Sequence, residues 1–112
     1  PDKPVPYALA KTHYAALLEA GVRIYEYTPG FVHAKVFVSD DCKAVVGSIN
    51  LDYRSLYHHF ECAAYMCDTP CIKDIEEDFI STRSQCREVT QESLKWHTGL
   101  LGSVTKAIST ML

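Results

Sequence analysis

Apolar and polar positions follow two different periods along this chain, and the switches between them mark its elements. From Pro6 to Ala20 the period is helical: Tyr14, Leu17 and Leu18 recur at helical spacing, alanines are frequent, Pro6 suits a first turn and Gly21 supplies a stop. From Val22 to Tyr27 the period shortens to two. Val22 and Ile24 fall on one face and Arg23, Tyr25 and Tyr27 on the other, which predicts a strand. Thr28, Pro29 and Gly30 form a turn so short that the strand after it is expected to run back antiparallel.

Val32 to Val38 reads as the second strand, Asp40 and Asp41 as turn formers, and Lys43 to Ser48 as the third strand. Asn50 to Leu56 is a polar connection with room for one helical turn, and a fourth strand is expected from about Phe60 to Cys67. Thr69 and Pro70 open a helix with Ile72, Ile75, Phe79 and Cys86 along one face, placed to cover the sheet. From Gln91 to Leu112, Trp96, Leu100, Val104 and Ile108 share one side of a helix weakened by Gly99 and Gly102. That last segment has two readings, a terminal helix packed on the domain and a helix lying in a membrane interface. Together the elements predict one α/β domain over residues 1–112, a mixed sheet flanked by helices around a single core.

Composition narrows the class without changing it. With 112 residues, 47% of them hydrophobic and 22% charged, the chain is long enough for a real core, and neither disorder nor a fibrous class is favoured. A net charge of -3 leaves no basic footprint and weighs against a nucleic-acid partner. Five cysteines, Cys42, Cys62, Cys67, Cys71 and Cys86, are an odd number without a repeated Cys-x-x-Cys spacing, so reduced thiols are expected rather than a disulfide framework or zinc knuckle. No stretch approaches the roughly 18 to 20 apolar residues needed to span a bilayer, so the chain itself is expected to be soluble. A start at Pro1 without methionine or signal pattern suggests a processed chain or a fragment.

The candidate chemistry lies between Phe31 and Glu61. Residues two apart on a strand share a face, so His33 and Lys35 project together while Val32, Ala34 and Val36 turn to the core. A two-residue loop at Asp40 and Asp41 would pair residue 39 with 42, 37 with 44, 35 with 46 and 33 with 48. Ser48 would then face His33, and Asn50 would extend the same face. An imidazole, an ammonium, a hydroxyl and a carboxamide on one face suit a phosphate: Lys35 supplies charge, and Ser48 and Asn50 supply neutral donors. Neutral His33 can attack phosphorus, its imidazolium can protonate a departing alkoxide, and Glu61 on the neighbouring strand is the candidate to fix its tautomer. Asp40 sits about 23 Å of extended strand from His33 and reads as a brace for the turn. His58, His59 and Cys62 lack the spacing of a metal site, although either histidine could line a headgroup pocket. Tyr25, Tyr27, Tyr53 and Tyr57 read as half-buried residues at sheet edges rather than as a stacking platform.

His33-x-Lys35, Asp40 and Gly47-Ser48-x-Asn50 together match the H-x-K-x(4)-D-x(6)-G-S-x-N pattern, and the chain resembles the phospholipase D superfamily. The front PGFVHAK, the continuation Asn50-Leu51-Asp52-Tyr53-Arg54-Ser55 and then His59-Phe60-Glu61 resemble the second, C-terminal motif of bacterial cardiolipin synthases, over roughly Val5 to Ile80. The resemblance implies one half of a bilobal fold. It implies His33, Lys35 and Asp40 as the catalytic-motif residues, Lys35, Ser48 and Asn50 as the phosphate-binding set, and Glu61 as the acid that orients the histidine. Asp52 and Arg54 match a pair read as structural.

The resemblance further implies a two-step transfer through a phosphohistidine, needing no metal or other cofactor. Two phosphatidylglycerol molecules would yield cardiolipin and glycerol at a cell membrane, with the catalytic part facing the cytosol. His33, in the second motif, is expected to be the acid/base. Such sites are built from two facing motifs, and this chain has one. Its expected partners are therefore phospholipid, the membrane through the full-length enzyme, and an N-terminal motif domain or a second copy in a homodimer. The alternatives are a phosphodiesterase or endonuclease working as a symmetric homodimer, and an inactive fragment.

Overall fold

The structure, a computed structural model, describes residues 4–94. In chain order the elements are α1 (Pro4–Lys11), α2 (Tyr14–Glu19), β1 (Ile24–Tyr27), β2 (Lys35–Ser39), β3 (Lys43–Gly47), α3 (Tyr53–Tyr57), β4 (Ala63–Cys67), α4 (Cys71–Ser84), β5 (Cys86–Val89) and α5 (Gln91–Leu94). Strands and helices mix as the expected α/β class requires, and every described ladder is antiparallel. The chain divides into two units, one made from its two ends, through Phe31 and from Gln85 onward, and the other from Val32–Ser84.

In the unit made from the ends, the single helix expected over Pro6 to Ala20 is broken. The Thr12 hydroxyl bonds back to the Leu9 carbonyl at 2.7 Å, and the amides of Thr12 and His13 close three-residue turns on Leu9 and Ala10. A side chain that competes for a helix carbonyl in this way interrupts the regular ladder. Gly21 does end the helical region, at a φ of 87° that favours glycine. β1 lies close to the expected position, but its partner is not the strand after the Thr28–Gly30 turn. It pairs with β5, in register Ile24↔Val89 through Tyr27↔Cys86. Val89 is buried, Glu26 and Arg87 stand opposite each other as an ion pair at 2.6 Å, and the Thr28 hydroxyl bonds to the Gln85 carbonyl. These contacts across more than fifty residues of sequence outweigh the local turn.

The unit from Val32 to Ser84 holds a three-stranded sheet in the order β2-β3-β4. Val38, Ala44 and Met66 form one cross-strand row and Val36, Val46 and Ala64 the next on the same face. Ala44 at 2% exposure is the buried centre of that face, and Ile72 on α4, also 2% exposed, is the buried anchor of the helix. α4 begins at the expected Thr69-Pro70 signal. Ile75 is half-buried, whereas Phe79 is exposed and Cys86 lies beyond the helix, in β5. The helix expected from Gln91 begins with α5, and Trp96, Leu100, Val104 and Ile108 lie outside the described residues.

Candidate active site

The hairpin between β2 and β3 sets the geometry. Ser39 pairs with Lys43, so the loop has three residues, Asp40, Asp41 and Cys42, where the sequence suggested two. One added residue shifts every pair by one: Lys35 stands opposite Gly47 rather than Val46, and Phe37 opposite Val45. β2 therefore begins at Lys35, and His33 lies before it in residues 31–34, which form no ladder. The expected pairing of His33 with Ser48 does not form.

The register places the motif residues at one end of the sheet. Lys35, Gly47 and Ala63 make the last row across the three strands, and His33, Ser48, Asn50 and Glu61 leave the sheet immediately beyond it. His33, Ser48 and Asn50 are exposed, and Lys35 and Glu61 are half-buried. The Lys35 Nζ donates to the His33 carbonyl at 2.5 Å, tying the segment that carries the imidazole to the first residue of β2.

Ser48 is held from the β4 side. Its amide donates to the Cys62 carbonyl at 3.0 Å, the Cys62 amide donates to Ser48 Oγ at 3.1 Å, and the hydroxyl donates to Glu61 Oε2 at 2.5 Å. The reason Gly47 must precede it is steric. A Cβ at Gly47 would sit 2.5 Å from Ala63 Cβ and 2.6 Å from Ala63 Cα, and would press on the Cys62 carbonyl oxygen. Only a residue without a side chain lets β3 and β4 approach this closely. Sequence reasoning singled out Gly47 for its motif alone, and it missed the Cys62 backbone entirely, because a main-chain partner leaves no residue-type signal.

Asp40 occupies the other end of the sheet, about 16 Å of strand from Lys35. It and Asp41 both adopt a φ of 55° in the turn, where the Ser39 hydroxyl donates to Asp40 Oδ2 and Lys43 Nζ lies 3.9 Å from the same oxygen. This is the bracing position expected from its sequence distance. The turn end is acidic: partial burial and the carboxylates of Asp68, Asp40 and Asp41 push the Cys42 thiol up, and burial followed by Asp41 pushes the Glu76 carboxyl up. The turn end thus gathers the carboxylates of Asp40, Asp41 and Asp68, whereas the opposite end carries the Lys35 ammonium and one carboxylate, Glu61.

Beyond Asn50, Asp52 caps α3 by accepting the Ser55 amide at 2.7 Å, and Ser55 is buried. The Arg54 carbonyl receives the amides of His58 and His59. Asp52 thus works as the cap of α3, and the Arg54 main chain closes its other end. Tyr53 and Tyr57 are on α3 rather than at a sheet edge. Their rings lie 4.8 Å apart, the His58 ring is edge-on to Tyr53 at 5.0 Å, and both tyrosines are mostly exposed. Among the described residues, no three His, Cys, Asp or Glu side chains are grouped to hold a metal ion, and no helix is long and apolar enough to cross a membrane.

Residues 1–83 match the family described as "Cardiolipin synthase, PLD-like domain". An uncharacterized protein of Streptococcus mutans is 62% identical across the whole chain, which spans 25% of that protein. A protein named cardiolipin synthase from Halalkalibacterium halodurans is 31% identical across the whole chain, which covers 23% of it. Another of that name from Geobacillus thermodenitrificans is 40% identical over 71% of the chain and 16% of its own length. The chain thus spans a quarter or less of these relatives. No solved structure matches it.

Proposed function

This chain belongs to the cardiolipin synthase, phospholipase D-like domain family, and on that premise we propose that it supplies one motif of a phosphatidyltransferase site, the C-terminal half of a two-motif enzyme. The observation that supports this reading is the row Lys35–Gly47–Ala63, beyond which His33, Ser48, Asn50 and Glu61 emerge together at the end of the sheet away from the Asp40–Asp41 turn.

In this reading the phosphodiester of phosphatidylglycerol lies beyond the end of β2 and β3, with its charge against the Lys35 ammonium and an oxygen within reach of the Asn50 carboxamide. Ser48 belongs to the same phosphate pocket. The histidine of one motif attacks phosphorus and forms a phosphohistidine, while the other motif's histidine protonates the departing glycerol and then takes the proton of the incoming phosphatidylglycerol hydroxyl. His33 serves as that acid/base, with Glu61 holding its ring. The products are cardiolipin and glycerol, and the reaction runs at the membrane that holds the lipid.

The test is made in the full-length protein with phosphatidylglycerol vesicles and, separately, with DNA. Cardiolipin formation that disappears in His33→Ala and survives in Asp40→Asn, with the latter losing mainly thermal stability, is the expected result. Normal turnover in His33→Ala removes the residue assignment, and DNA cleavage without lipid turnover replaces the transferase with a nuclease.

A further inference from the structure

The segment between Asn50 and Glu61 leaves the sheet after the last row of β3 and returns to it before β4, so both of its ends are held at the motif end. Ser55 is buried beneath it, on the inner side of α3. On the outer side Tyr53, Leu56 and Tyr57 are each more than half exposed, as is Leu51 before the helix, and Phe60 after it is fully exposed. The Tyr53 ring lies 4.8 Å from Tyr57 and 5.0 Å from His58, which makes the aromatic part of this surface continuous.

The charge on the same surface has one sign. No carboxylate occurs from Tyr53 to Phe60, and the Asp52 carboxylate at the start of α3 accepts the Ser55 amide. Arg54 is exposed, and among the described residues its guanidinium has no ion pair. The whole chain, by contrast, has a net charge of -3.

We propose that this segment is a docking surface for an anionic lipid bilayer. An anionic membrane repels the chain as a whole, so contact is made through a face that is locally cationic. Tyr53 and Tyr57, with apolar rings and wet hydroxyls, sit at the boundary between headgroups and hydrocarbon, where such side chains are enriched. Leu51 and Phe60 enter the acyl region beside them, and Arg54 stays with the headgroup phosphates. A second copy of the chain fits less well, because a two-fold interface would set this cationic face against itself. The choice of lipid rests on the phosphatidyl-transfer reading above, in which the substrate is anionic phosphatidylglycerol and the segment lies between two motif residues that serve it. The docking itself needs no turnover.

Co-sedimentation of the 112-residue chain with vesicles tests it, using mixed phosphatidylglycerol and phosphatidylcholine in one series and phosphatidylcholine alone in the other. Binding to the anionic vesicles is expected to be the tighter. Tyr57→Ser with Phe60→Ser should weaken it about tenfold or more through lost apolar contact. Arg54→Gln should weaken it about fivefold, an effect that shrinks as salt is added, and Phe60→Trp should keep it. If the double variant unfolds at a lower temperature than the original, Leu51→Ser with Phe60→Ser takes its place.

Equal binding to both kinds of vesicle overturns the proposal, as does unchanged binding in the double variant, which contact through residues 91–112 would give. A dimer without lipid that becomes a monomer in the double variant assigns the surface to a second copy instead. Vesicle binding that is abolished by a polypeptide carrying the second H-x-K motif assigns it to that polypeptide. A full-length protein that makes no cardiolipin, while the chain shows the expected binding pattern, removes the transferase reading and leaves the docking surface. Cardiolipin formation with vesicle binding indifferent to these substitutions does the reverse.

Discussion

At the scale of single residues, the site depends on one that has no side chain. Gly47 lets the Cys62 carbonyl and Ala63 come against β3, and Ser48 is hydrogen-bonded to Cys62 in the very next step of the chain. Gly47→Ala forces those strands apart or strains them. We expect a loss of about 1–3 kcal/mol in urea unfolding, the usual range for a methyl group added where there is no room. The same displacement separates Ser48 from the Cys62 main chain. A Gly47→Ala protein as stable as the original would show that the two strands yield without consequence. Asp40 makes the contrasting case: its conformation, its hydrogen bond from Ser39 and its contact with Lys43 all belong to the turn.

At the scale of elements, the pairing of β1 with β5 carries a titratable network. Glu26 accepts from Tyr7 at 2.9 Å and from Arg87 at 2.6 Å. Burial alone would raise its carboxyl, but the hydrogen bonds from Arg87 and Tyr7, with the charges of Lys11 and Arg87, bring it below the ordinary 4.5. Burial, together with the charge and hydrogen bonding of Glu26, pushes the Tyr14 phenol up to about 12. The two shifts bound a pH window. A depressed carboxyl contributes stability that is present above its unfolded value and is lost as pH falls through the folded one, so the Glu26 contribution fades below about pH 4.5. A raised phenol contributes stability that is present below 10 and is lost as pH rises towards 12. Glu76, shifted up, has the opposite sign to Glu26 in acid. Thermal unfolding from pH 3 to 11 should therefore show the acid limb most clearly as a difference between the original chain and Glu26→Gln. Identical acid limbs in the two would mean that the ion pair across β1 and β5 adds nothing.

At the scale of the whole molecule, several large apolar side chains that follow the motif in sequence stand open to solvent. Leu51, Tyr57 and Phe60 are 79%, 71% and 108% exposed, with Tyr53 and Leu56 also above half. On the proposed reading the chain contributes one of two motifs, and these residues follow the motif directly in sequence. The isolated chain is then expected to form no cardiolipin from phosphatidylglycerol vesicles, and co-expression with a polypeptide carrying the second H-x-K motif should restore formation. Cardiolipin made by the chain alone, at concentrations where sedimentation shows a monomer, would contradict the two-motif site.

The sequence by itself determined what depends on residue type and short spacing. The α/β class, the approximate place of four strands, the Gly21 stop, the start of α4 and the removal of Asp40 from the other motif residues were all legible there. The motif also pointed to the family that the comparisons show. Only the tertiary structure decided what depends on partners distant in the chain. The three-residue turn moved the β2–β3 register by one and left His33 outside the ladder, because a turn's length is set by the φ of 55° at Asp40 and Asp41, which composition does not reveal. β5 escaped notice because four residues, Cys86–Val89, carry too little pattern to separate them from the end of a helix, and β1 found it through Val89 and Arg87 rather than through a neighbouring turn. The bond from Ser48 to Glu61 spans thirteen residues and is arranged by the backbone of Cys62. Side-chain identity names the groups that can bond, but the approach of two strands selects which of them do.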